Sequence, residues 1–187
     1  GDPRIPMYAD STATGEYVGM PYGLEDGPSF ELKPTTSRFA ASIRAKTAPA
    51  YILRYSEVKL LEAEAIADGI VSGDAAAAYD AGVTAAMNEW GITDTDAINA
   101  YLTANPYVDE ESIALQMWYA LYTNGIEAWA NWRRYDFPDL QVPAAAFKDF
   151  IPVRGLYPTD EGATNEVNKN AVPYDDVMST KLWWDVN

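Results

Sequence analysis

From Gln116 to Pro138 the chain reads QMWYALYTNGIEAWANWRRYDFP, and no generic surface helix is written this way. Asp109, Glu110 and Glu111 precede it and suit the positive end of a helix dipole. Ile113, Met117, Ala120, Leu121 and Asn124 recur at three- and four-residue steps, with Trp118, Tyr122, Gly125, Trp129 and Trp132 in a second stripe beside them. Two apolar faces predict one long helix buried on most sides. Arg133 and Arg134 occupy its last turn, where cations are favoured, and Pro138 forbids continuation. Core packing is the reading of the stripe, with Arg133 or Arg134 partnering a buried carboxylate for which Glu127 is the near candidate.

The remaining chain is read around that helix. Pro3, Pro6, Gly15, Gly19, Pro21, Gly23, Gly27, Pro28 and Pro34 interrupt every periodicity in residues 1–50, which read as loops with short strands at Tyr17–Met20 and Ser37–Ile43. From Tyr51 the pattern turns helical, with Val58, Leu61 and Ala65 on one face and Leu60 and Glu64 beside them, up to Gly69. Asp74 is the expected N-cap of a second helix carrying Tyr79, Val83, Ala86, Met87 and Trp90, which Gly91 stops. Helix, short turn, helix makes an antiparallel hairpin of tetratricopeptide (TPR-like) length, with small Ala63, Ala78 and Gly82 permitting close approach. A short helix from Asp96 to Ala104 leads through Pro106 to the aromatic helix. Prolines punctuate residues 139–187, expected to wrap the helices as ordered loop anchored by Phe147, Phe150, Ile151, Trp183 and Trp184. The fold class is mainly α, divided into an irregular region 1–50, a helical region 51–138 and a wrapping region 139–187 of one unit.

Composition excludes much chemistry. Twenty-eight acids against 13 basic residues give a net charge of −15, which disfavours nucleic acid and anionic membrane as partners. With no cysteine and no histidine, the usual zinc, haem and copper sites and Ser/His or Cys/His nucleophilic catalysis cannot be assembled. Paired carboxylates remain, such as Glu57 with Glu64 or Asp136 with Asp139, but in so acidic a chain pairs arise by accident and none has an apolar setting. No catalytic residue and no cofactor is assigned. Calcium is the ion such a surface suits best, and Asp94 with Asp96, or Asp175 with Asp176, are its nearest clustered ligands. Neither pair fits the twelve-residue calcium loop, so no metal ligand is assigned.

Several strings resemble, in order, the signatures of SusD-like (SusD/RagB) proteins. Gln116–Pro138 is similar to the family's QKWIAL…G.EAW..WRR..YP; RYSEVKLLEAEAIADG at Arg54–Gly69 resembles Y.E..LL.AEA..RG, and Asp74–Gly91 follows as the family's next helix does. IPVRGLYPTDEGATNEVN at Ile151–Asn168, KLWWD at Lys181–Asp185 and DPRIP at Asp2–Pro6 complete the set. The resemblance implies the carboxyl-terminal part of a longer outer-membrane, cell-surface lipoprotein, whose amino-terminal lipid anchor and earlier helical hairpins lie outside this chain. It further implies a binding protein and not an enzyme, capturing a glycan or oligosaccharide for a TonB-dependent, SusC-like transporter. A helical protein-interaction scaffold without a sugar ligand, a binder of peptide or another nutrient, and a glycoside hydrolase are the competing classes.

Sugar rings present apolar faces that stack on aromatic side chains, and binding residues concentrate on loops. Helices use most of the aromatics for packing, which leaves Tyr8, Tyr17, Tyr22 and Phe30 of the amino-terminal loops as candidate ligand-binding residues. If Trp129 belongs to the core, Trp129→Ala should lower stability by about 3 to 5 kcal/mol in chemical denaturation. Loss of ligand binding at an unchanged melting temperature would contradict that role.

Overall fold

A computed structural model describes residues 1–173 and 175–186. Its centre is the expected hairpin, α3 (Tyr55–Ala67) and α4 (Ala75–Glu89), preceded by the short α1 (Ile5–Tyr8) and α2 (Asp26–Leu32). The Asp74 carboxylate accepts from Ala77 N at 3.1 Å, capping α4 as its sequence position predicts. At the other end of the hairpin the Glu89 carboxylate accepts from both Ser56 N (2.9 Å) and Ser56 Oγ (2.8 Å). The last acid of α4 therefore caps the first turn of α3, satisfying an N–H the helix cannot. Gly82 is what lets the helices touch: a Cβ there would lie 2.7 Å from Leu60 Cγ and 3.2 Å from Leu60 N.

The buried face of α3 is Ser56, Leu60 and Ala63, one step round from the expected one. Val58 and Leu61 stay about two-fifths exposed. Periodicity named the right helix and the wrong face, because Leu60 and Leu61 are adjacent and only the partner helix decides between them.

Helix α5 (Thr95–Ala104), capped by Asp94, and α6 (Glu110–Ala120) close the core. Asp109 and Ser112 cap α6 reciprocally. Tyr79, Val83, Met87, Ile98, Tyr101, Ile113 and Met117 meet Leu60 there. The single long aromatic helix does not form. The chain leaves the helix at Leu121, turns with Asn124 N bonded to Leu121 O at 2.8 Å, and restarts as α7 (Gly125–Tyr135). Thr123 sits at φ 76°, outside any right-handed helix. Asn124-Gly125 is a turn dipeptide, and the apolar periodicity running across it masked it.

The two short strands are absent as well. Ser37 N bonds Val18 O at 2.7 Å and Ala9 bridges Phe39, but each contact is isolated because prolines, glycines and a turn at Ala40–Arg44 cut the segments short. After α7 the chain is mostly irregular, with α8 (Glu161–Thr164) and α9 (Glu166–Asn170). Phe147 and Trp183 are 94% and 86% exposed and do not anchor this region. Buried Val153, Arg154 and Asp185 do, together with Trp184, whose ring lies 4.8 Å from the Arg133 guanidinium. No helix among the described residues is long and apolar enough to cross a membrane.

The amino-terminal segment is held through Arg4, which is fully buried. Its Nε and Nη2 grip the Asp2 carboxylate at 2.7–3.2 Å, and Nη2 also donates to Tyr101 Oη (2.8 Å) and Gln116 Oε1 (2.9 Å). Burial pushes the Asp2 carboxyl up, but hydrogen bonds from Arg4 and its charge outweigh that and leave it below the usual carboxylate range.

Gly82→Ala should destabilise the chain by about 1–3 kcal/mol, because Leu60 and the α3 backbone must move aside. Urea denaturation measures this, and an unchanged midpoint would show that the hairpin has slack at that crossing.

Candidate carbohydrate-binding surface

The four loop aromatics named from sequence do not converge on one place. Tyr8 is half-buried, stacked on Tyr122 with ring centroids 4.2 Å apart and edge-on to Trp90 at 4.9 Å, and its hydroxyl donates to Tyr119 O. It builds the surface from beneath. Tyr17 is exposed on the amino-terminal loop, whereas Phe30, expected in a loop, lies on the short helix α2 and is 73% exposed. Exposed Tyr22 donates its hydroxyl to Gln141 O, and Gly23 beside it is pressed against Pro143, so this tyrosine joins the amino-terminal loop to the segment after α7.

The break between α6 and α7 organises something the sequence did not disclose. On one side of Thr123 lies a groove of about 580 Å³ whose walls include Met7, Tyr51, Trp90 and the irregular segment Ala48–Ala50. On the other lies a groove of about 470 Å³ lined by Phe39, Trp118, Tyr122, Trp129, Trp132 and Leu140. The two share Thr123. Between them Tyr122 touches Phe39 (centroids 6.1 Å) and Trp90 (6.2 Å), so aromatic rings run continuously from one groove to the other. Phe39 is 57% and Tyr51 43% exposed, which leaves ring faces open to solvent.

Two arginines stiffen this band from behind. Arg54, the residue before α3, is buried with its guanidinium 4.1 Å from the Tyr51 ring centre and 5.2 Å from that of Trp90. It makes long hydrogen bonds to Tyr122 O (3.4 Å) and Thr123 Oγ1 (3.3 Å), tying the interhelical turn to α3. Arg133 lies 3.9 Å over Trp129 and donates to Val153 O at 2.9 Å, while Trp129 Nε1 donates to Pro152 O at 2.8 Å. Trp129 is thus half-buried in the groove wall, held by Arg133 and Pro152 and not packed into the core.

Arg134 forms an ion pair with Glu64, not with Glu127, and adds a bond to Asn131 Oδ1 at 3.2 Å. The pairing crosses from α7 to α3, a contact invisible in a linear reading that favours near neighbours. It also removes Glu64 from any acid pair with Glu57, and Lys181 engages Asp136 at 2.9 Å. Among the described residues, no cluster of three or more acids is placed to hold a metal ion.

Phe39, Tyr51 and Trp90 escaped the sequence reading for different reasons. Phe39 fell within the expected strand Ser37–Ile43 and Tyr51 at the start of the expected helical region, whereas both lie outside helices and strands in the structure. Trp90 was given to helix packing, although it is the C-cap of α4, just before Gly91, and its ring meets Tyr8, Tyr122 and Arg54. Nothing in the linear sequence marked Thr123.

Residues 1–158 match the family SusD-like_2, described as starch-binding and associating with the outer membrane. The chain belongs to this SusD-like family. A solved chitin-binding protein is 29% identical, with a TM-score of 0.87 over 100% of this chain and 47% of its own. The Bacteroidetes AC2a SusD-like protein is 28% identical, with a TM-score of 0.70, covering 89% of this chain and 35% of its own. A SusD homologue from Bacteroides fragilis shares the fold at 23% identity and a TM-score of 0.79, covering 97% and 48% of the respective chains. The chain spans half or less of the length of these relatives. No curated protein sequence matches it.

A β-branched residue at positive φ is strained. Thr123→Asn, which tolerates that conformation and keeps an oxygen for Arg54, should raise stability by about 1 kcal/mol. A lower denaturation midpoint would instead make the threonine methyl the packing element of the turn.

Proposed function

We propose that this chain is part of a non-catalytic, cell-surface nutrient-binding protein that holds a glycan on the aromatic band between Tyr51 and Trp129 and passes it to a TonB-dependent transporter in the outer membrane. The observation that carries the reading is the continuity of exposed and half-buried aromatic rings across two grooves, backed by Arg54 and Arg133, each of which donates to oxygens of the turn and loop behind the rings. Such a surface offers stacking faces to the apolar sides of sugar rings and needs no cofactor. Family membership supports the outer-membrane setting, and the starch and chitin named for the family and for a solved relative support a polysaccharide cargo. A lipid anchor on the longer protein would hold it at the membrane. Carboxylates engaged by Ser56, Arg134 and Lys181 leave little for acid–base hydrolysis at this surface.

A second reading, a scaffold for a protein partner, is favoured by one observation: Ile52, Leu53, Tyr55, Val58 and Leu61 are all exposed at and before the start of α3.

Affinity electrophoresis in gels containing soluble starch or glycol chitin separates the two. Glycan binding predicts retardation of the chain, reduced by about two- to tenfold in affinity for Phe39→Ala and for Tyr51→Ala, with the melting temperature little changed for Phe39→Ala, whose ring is exposed, and modestly lowered for Tyr51→Ala, whose ring covers Arg54. Retardation that both variants retain would take the ligand off this band, and no retardation in either gel would favour the scaffold.

A further inference from the structure

We infer that the two grooves form one extended site for a neutral oligosaccharide, each groove being a subsite, with charged glycans excluded. This rests on the glycan-binding reading above and narrows it.

Length follows from continuity. Each groove is in the size range of small-molecule sites and has room for roughly two pyranose rings. A ligand confined to either would leave the other's aromatic faces in water. Because the grooves meet at Thr123, one chain lying across the turn covers both, and its second half binds at the effective concentration set by its first. The crossing point is suited to that role. Thr123 is held at φ 76°, and Arg54 fixes its hydroxyl and the preceding carbonyl, so the saddle is rigid before a ligand arrives.

Neutrality follows from the lining. Among the described residues the groove beyond Thr123 has no Asp, Glu, Lys or Arg in its walls. The groove before it has only Glu89, whose two oxygens are already bonded to Ser56. Of the cations near the band, Arg54 and Arg133 are buried behind aromatic rings, with Arg54 Nη2 bonded to Tyr122 O and Thr123 Oγ1 and Arg133 Nη1 to Val153 O, while the exposed Arg44 donates to Phe39 O and is paired with Asp10. A uronate or sialate carboxylate would find no cation among the described residues of either groove's lining, would meet Arg44 already paired with Asp10, and would approach a chain of net charge −15.

Tryptophan-fluorescence titration of this chain tests both halves of the inference, using malto- and chito-oligosaccharides of increasing length beside oligogalacturonates of the same lengths. For whichever neutral series binds, the hexasaccharide is expected to bind at least about tenfold more tightly than the trisaccharide. Phe39→Ala and Tyr51→Ala should each return the hexasaccharide to trisaccharide-like affinity, while only one of them affects the trisaccharide. Oligogalacturonates should bind at least about tenfold more weakly at equal length. Melting temperatures confirm that the variants are folded, and the length series on the unaltered chain stands without them. Affinity independent of length, lost through one variant only, would overturn the two-subsite site and leave glycan binding intact. Galacturonate bound as tightly as neutral sugar would overturn the neutrality. No binding of any oligosaccharide would remove this inference and the glycan reading together.

Discussion

The arrangement depends first on one buried cation. Arg4 carries its charge to the centre of the molecule, where Asp2 neutralises it, Tyr101 and Gln116 accept from it, and the rings of Tyr101 and Tyr119 lie 5.1 and 5.2 Å from it. Burying a guanidinium without such partners would be prohibitive, so the amino-terminal segment has essentially one place to go. That place, against α5 and α6, sets the position of everything within a few residues of Arg4. Tyr8 is carried onto Tyr122 and Trp90, and Ala9 onto Phe39. A loop-rich segment with little helix of its own thereby builds one wall of the aromatic surface.

The second determinant is the interruption of the aromatic stripe. As one continuous helix, residues 110–135 would have aimed Trp118, Tyr122, Trp129 and Trp132 along a single line into the core. The turn at Leu121–Asn124 gives α6 and α7 separate directions. Met117 and Ile113 remain in the core while Tyr122 and Trp129 reach a surface. Arginine then does for these rings what a hydrophobic core does for buried ones. Stacking on Arg54 and Arg133 holds Tyr51, Trp90 and Trp129 in defined orientations while an edge or face stays open. Rings ordered in advance lose little side-chain entropy when a ligand stacks on them.

Much of the helical frame was legible because local rules and tertiary demand coincide there. Asp74 and Asp109 cap helices where short acidic side chains precede apolar runs, Gly69 and Gly91 end them at positive φ, and Gly82 marks the close crossing. Failures came where two local signals competed. Apolar periodicity overrode Asn124-Gly125, and the adjacent pair Leu60 and Leu61 gave the buried face of α3 to the wrong leucine. At the surface, a place in the irregular amino-terminal stretch selected Tyr17 and Phe30, which line neither groove, and did not tell which aromatics share one.

The sequence by itself determined the α3–α4 hairpin, α5, the caps at Asp74 and Asp109, the family to which the chain belongs and the chemistry it lacks, because these depend on residue types and on spacings of a few positions. Tertiary structure alone decided that Arg134 pairs with Glu64, 70 residues away, and that Phe39, Tyr51, Trp90, Tyr122 and Trp129 face one surface. Those residues lie on five separate stretches of chain, and what brings them together is burial of Arg4 and close packing of α3 on α4, neither of which leaves a local pattern.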